Sequence, residues 1–168
     1  MSGFDWNKDY SLEELLQSVI AVKEFPNNLA RVINILKPQD FDKTYREGSW
    51  NIRQIIHHLA DSHMNGYIRT QHIITQDTKE IQLFNQDSWA GDLGKEFHHE
   101  ASFMILLGLH QRWSLLLLEC LKKPEIYLAK SIYHPEKDRQ VSLAQSIALY
   151  AWHGEHHLRQ IITASQPK

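Results

Sequence analysis

His153 and His157 stand four residues apart in the run Tyr150-Ala151-Trp152-His153-Gly154-Glu155-His156-His157-Leu158. A helix of about 3.6 residues per turn puts both imidazoles on one face. Tyr150 and Ile161 extend that stripe by a turn on either side, so the pair is expected to face a protein interior. His156, three residues from His153, is the alternative partner; it turns off the Tyr150–Ile161 line, and His157 is preferred. A second group, His57-His58-Leu59-Ala60-Asp61-Ser62-His63, offers His58 on a polar stripe with Gln54, Asp61, Asn65 and Arg69. Three imidazoles from two facing helices are a ligand set for zinc, nickel, copper or iron(II). Three protein ligands leave positions open for water or substrate, the catalytic pattern. An isolated pair at this spacing is more often a surface or hydrogen-bonded core pair, and spacing alone leaves the two readings level.

The pattern is not that of the zinc-protease helix, in which a glutamate directly follows the first histidine. Gly154 holds that place here, and Glu155 points nearly opposite the pair, so Glu155 is not assigned as a base. Phosphate-loop, nucleophile-elbow and dinucleotide signatures are missing. Cys120 reads as a small buried hydrophobe, and Trp50, Trp113 and Trp152 as core or pocket wall. His63 and Asp61 are the candidates for a proton acceptor; Asn65, Arg69 and His134 are further polar groups that could touch a substrate or a ligand.

Four long helical segments must position these groups. The first opens at Ser11, with Glu14 at capping-box spacing, and carries Leu12, Leu15, Leu16, Val19 and Ile20 until Pro26, which is expected to kink or interrupt it before a second piece over 29–36. Ser49 is the expected N-cap of a second helix over about 51–75. Residues 76–97 lack periodicity and read as a long loop. A third, very apolar helix runs over about 100–122, with Pro124 beyond its end. An irregular hairpin is expected around His134-Pro135-Glu136-Lys137-Asp138, and Ser142 with Gln145 opens a fourth helix to about Ala164. The expected fold is all-α, a four-helix bundle with long connecting loops, in one domain over 1–168 with a flexible tail over 1–10.

Composition narrows the classes. A formal net charge of −2, from 18 basic and 20 acidic residues, offers no footprint for a polyanion, and no nucleic-acid partner is expected. One cysteine excludes a disulfide framework and a cysteine-rich zinc site. The opening residues lack the features of a signal peptide, and no run approaches ~18 consecutive apolar residues. The expectation is a cytoplasmic protein without a membrane partner.

Several blocks together resemble a known family. They are Tyr45-Arg46-Glu47-Gly48-Ser49-Trp50, His57 to Asn65 with Tyr67-Ile68-Arg69, Leu109-His110-Gln111-Arg112-Trp113, and Tyr150 to Leu158. The chain resembles the DinB-like superfamily and, within it, the YfiT-like metal-dependent hydrolases, which are related to bacillithiol transferases. The resemblance implies a four-helix bundle, usually a homodimer. It also implies a metal bound by the second histidine of the His-His pair and by the two histidines four apart, which are His58, His153 and His157 here. Zinc is the first expectation for the ion, at one per chain, and nickel the second. The expected function is hydrolysis of an unidentified small molecule by water activated at that ion. The alternatives are a metal-dependent transferase of low-molecular-weight thiols and a metal-stabilised binding module that never turns over.

Overall fold

A computed structural model describes residues 3–91, 95 and 97–166. Four long helices dominate it: α1 Leu12–Ile33, α2 Ile52–Thr75, α3 Glu100–Leu121 and α4 Leu143–Ser165. Capping boxes start three of them. Ser11 pairs with Glu14 and Ser142 with Gln145, as the sequence predicts. The cap of α2 is Asn51 with Gln54, two residues beyond the expected Ser49. Ser49 instead closes the preceding turn, its hydroxyl donating to the Arg46 carbonyl at 2.8 Å. Asn51 wins because its side-chain oxygen reaches the Gln54 amide at 2.8 Å while Gln54 answers at 3.1 Å.

Pro26 does not interrupt α1. The helix runs unbroken through it to Ile33, and the packing of its buried face (Leu15, Val19, Val22, Phe25, Leu29 and Ile33) outweighs the cost of one missing N–H.

Around the bundle, α1 packs on α3 and α4, and α2 packs on the same two. The first two helices are thus diagonal partners, and their connection carries a 3₁₀ turn over Pro38–Asp42. Residues 76–97 are largely irregular, as expected, with a short helical turn at Gln86–Trp89; residues 92–94 and 96 lie outside the described residues. The hairpin is present as β1 Ser131–His134 and β2 Arg139–Ser142, antiparallel, with Ile132 opposite Val141. Asp138 takes the left-handed conformation that closes its turn.

The segment read as a loose tail is tied down over its described part. The Trp6 carbonyl accepts from Arg139 at 2.9 Å and from Gln145 at 3.0 Å, and the Phe4 ring packs on those of Trp6, Tyr10 and Trp152. Helix α3 is long and apolar enough, by length and composition, to cross a membrane. Its apolar residues are interrupted by His110, Gln111 and Arg112, and it buries Leu106, Trp113 and Leu117 in the bundle.

The core falls into two apolar clusters. One gathers Phe25, Leu29, Ile52, Ile55, Ile56, Leu106 and Ile161; the other gathers Leu15, Val19, Ile73, Trp113, Leu117, Leu143 and Ile147. Two glycines allow the close approaches that hold them together. A Cβ on Gly66 would collide with the rings of Tyr150 and Trp113, and one on Gly154 would lie 2.8 Å from the Phe25 ring.

Candidate metal centre

His58 on α2 and His153 and His157 on α4 converge. One ring nitrogen from each lies within 4.8 Å of the other two. The Nε2 atoms of His58 and His153 are 3.3 Å apart. A tetrahedral ion with metal–nitrogen bonds of about 2.0–2.1 Å would separate two ligand nitrogens by about 3.3–3.4 Å, so this pair has the spacing of ligands to one ion. His157 packs edge-on against both, with ring centroids 4.8 Å from His58 and 4.5 Å from His153.

Electrostatics favour the same use. Burial holds the His58 pKa down at about 4, and burial followed by the neighbouring His58 holds that of His157 at about 3. His153 is pushed well below the ordinary histidine value by burial and then by His157, His63 and His58. All three rings are therefore neutral at pH 7, and a neutral imidazole has the lone pair a metal needs.

Each ring is held differently. The His157 Nδ1 meets the Gln160 side-chain oxygen at 2.7 Å. The His153 Nδ1 meets His63 Nε2 at 3.0 Å, and His63 Nδ1 meets His110 Nε2 at 2.7 Å. The His58 ring packs on Trp50 at 4.7 Å, and its buried Nδ1 has no hydrogen-bond partner among the described residues. His57, next in sequence, faces away. Its Nε2 donates to the Phe97 carbonyl at 3.2 Å and its Nδ1 meets the Ser102 hydroxyl at 2.8 Å, fastening the start of α3.

Two cavities flank the cluster. One of about 770 Å³ is bordered by His153, Ser62, Tyr150 and Arg69 together with Phe4, Trp6 and Trp152. A smaller one of about 250 Å³ is bordered by His157, Trp50 and Gln160. Asp87, on the short turn Gln86–Trp89, borders both. That turn is anchored by the buried Gln54, whose amide donates to the Ala90 carbonyl at 2.6 Å.

The chemistry-bearing side chains picked from the sequence thus divide. His58, His153 and His157 come together. His63 is fully buried behind His153 and borders neither cavity. Asp61 is half-buried, its pKa raised chiefly by burial, and it too lies off both cavities. Arg69 donates to the Tyr150 hydroxyl and the Gln82 carbonyl, both at 3.2 Å, and His134 lines the larger cavity beside it. Asn65 donates to the Asp61 carbonyl at 2.9 Å. His156 stacks on Trp152 and sits off the cluster, as the helical stripe predicts. Sequence reasoning missed His110, Gln160 and Asp87. His110 had two signals, its helical spacing in the most apolar segment and its place in the Leu109–Trp113 block that carries the family resemblance; the other two had none.

Comparison with known proteins meets this geometry. The family model described as the DinB superfamily matches residues 21–161. The chain belongs to the DinB superfamily. A Bacillus mycoides DinB relative, named by inference a metal-dependent hydrolase, is 38% identical over 150 residues, covering 89% of this chain and 84% of the relative. One from Halalkalibacterium halodurans, named in the same way, is 37% identical over 140 residues, covering 83% and 80%. The structure of YfiT from Bacillus subtilis superposes with a TM-score of 0.89 at 30% identity over 98% of this chain and 93% of that one. It is described as a metal-dependent hydrolase by inference and as a four-helix bundle of unusual topology. A mycothiol-dependent maleylpyruvate isomerase shares the fold alone, at a TM-score of 0.62 and 16% identity over 91% of this chain and 61% of its own.

Proposed function

We propose that this protein is a hydrolase of a small molecule, working with one divalent ion held by His58, His153 and His157, zinc first and nickel second. The observation that carries the proposal is the meeting of three neutral imidazoles, two of them 3.3 Å apart, with His153 at the wall of a 770 Å³ cavity and His157 at that of a 250 Å³ one. Cavities of this size suit small molecules, and the names of the DinB relatives point the same way.

An ion bound there supplies Lewis acidity, which can lower the pKa of a coordinated water from about 15.7 toward ~7. The chain's own groups do the rest. Phe4, Trp6 and Trp152 give the larger cavity an apolar, aromatic wall, and Arg69 gives it a cationic one. Asp87 is the carboxylate that borders both cavities, and we assign the proton acceptor to it ahead of Asp61 and His63. A homodimer belongs to the same proposal. Leu12 and Leu16 on α1 and Leu115 on α3 are exposed and line one apolar groove that a second copy would cover.

Elemental analysis of untagged protein tests the site, beside a His58→Ala, His153→Ala, His157→Ala variant. About one zinc or nickel per chain, lost in the variant, is the expected result; a wild type that binds neither ion overturns the proposal. With metal bound, water-only turnover of ester, amide or phosphoester panels supports a hydrolase, metal-dependent thiol consumption replaces it with a thiol transferase, and binding without turnover leaves a binding module.

A further inference from the structure

Pro26 has no N–H, so the carbonyl four residues earlier, that of Val22, loses its helical partner. The His110 Nδ1 takes the vacant acceptor at 2.5 Å. From there a line of contacts crosses the bundle from helix to helix: Val22 on α1, His110 on α3, His63 on α2, His153 on α4. Phe25 packs on the rings of His63 and His110, at 5.4 and 5.3 Å, and shields the line.

This line has a direction. A backbone carbonyl only accepts, so the His110 Nδ1 carries the hydrogen. In a neutral ring its Nε2 is then bare and must accept, so the His63 Nδ1 carries a hydrogen. The His63 Nε2 is bare in turn and accepts from the His153 Nδ1. What remains on His153 is an Nε2 without hydrogen, and that atom faces His58 Nε2 in the cluster. No member can be reversed alone without setting two N–H groups or two lone pairs against each other. His157 is oriented less firmly, because its partner Gln160 is an amide that can flip end for end.

Building on the assignment of His153 as a ligand, we infer that Pro26, His110 and His63 are positioning residues that lock His153 in the Nδ1–H tautomer and so present its Nε2 lone pair to the metal. A free neutral imidazole divides between two tautomers, and only one can ligate through Nε2. Fixing it before the ion arrives removes that loss, and outer partners of this kind are worth about 10- to 100-fold in metal affinity.

The test reads the tautomer and the affinity separately. Nitrogen-15 spectra of histidine-labelled, metal-free wild type should show His153 protonated at Nδ1; protonation at Nε2 overturns the inference without any variant having to fold. Zinc affinity, by competition with a chromogenic chelator, should fall about 10- to 100-fold in His110→Leu. It should recover in His110→Gln, whose amide can donate to Val22 and accept from His63 with the same polarity. Pro26→Ala restores the helical bond to the Val22 carbonyl, so it should weaken zinc binding while leaving the thermal midpoint equal or higher. Wild-type affinity in both His110→Leu and Pro26→Ala overturns the inference. A wild type that binds no zinc defeats the ligand assignment instead, and the tautomer is still read from the metal-free spectrum.

Discussion

The two apolar clusters and the imidazole layer between them are built from the same four helices but obey different rules. Around Leu15, Leu117 and Leu143 or around Ile52, Ile55 and Leu106, side chains are held by volume and contact, which have no polarity. In the imidazole layer, the rings of His110, His63 and His153 must also have their hydrogens on the correct nitrogen. Apolar packing tolerates exchange of one shape for a similar one. The histidine layer tolerates little, because one reversed ring leaves a buried donor or acceptor unmet. Fold stability is therefore expected to reside mainly in the clusters and metal affinity in the layer.

Acid should break this comparison most visibly. The folded pKa values of His58 and His110 lie near 4 and that of His157 near 3, each lowered from 6.5 chiefly by burial. Below pH 6.5 the unfolded chain binds protons that the folded chain refuses. Stability of the metal-free protein should thus be greatest above pH 6.5 and fall as pH drops toward 3–4, by about 1.4 kcal/mol per pH unit for each such histidine. Denaturant titrations between pH 7.5 and 5 check this; a flat profile would mean that the layer is not buried in solution.

Leu117→Ala sharpens the comparison from the other side. Leu117 is 1% exposed within an apolar cluster, and its truncation should cost about 2–5 kcal/mol of unfolding free energy. Zinc affinity of the folded fraction should stay within about twofold of wild type, since no ligand or partner ring is touched. Chemical denaturation and chelator competition on one sample separate the two quantities, and a matched loss in both would deny that the regions are independent.

The smallest effect is expected at Glu155, which lies between the two α4 histidines in sequence yet pairs with Arg159 at 2.8 Å on the exposed face. Glu155→Ala should change stability by less than about 0.5 kcal/mol and leave metal content intact. A collapse of turnover with metal retained would place this carboxylate in the reaction.

Helix periodicity alone placed His153 and His157 on one inward face and chose His157 over His156, because positions four apart with Tyr150 and Ile161 define a stripe whatever the helix packs against. The caps at Ser11 and Ser142, the loop over 76–97 and the hairpin turn at Asp138 were equally legible, being local chemistry. His58 came from a polar stripe whose solvated reading was as good until α2 met α4. Three matters were decided by the tertiary structure. Pro26 stayed inside α1 because long-range packing outweighed a local defect; His110 and His63 became partners because α1 and α2 are diagonal and α3 and α4 each touch both. The two cavities beside the cluster share Asp87 because Gln54 anchors a distant turn. Spacing in sequence fixes which face a side chain occupies, but what it meets across that face depends on packing between elements, and no local rule contains it.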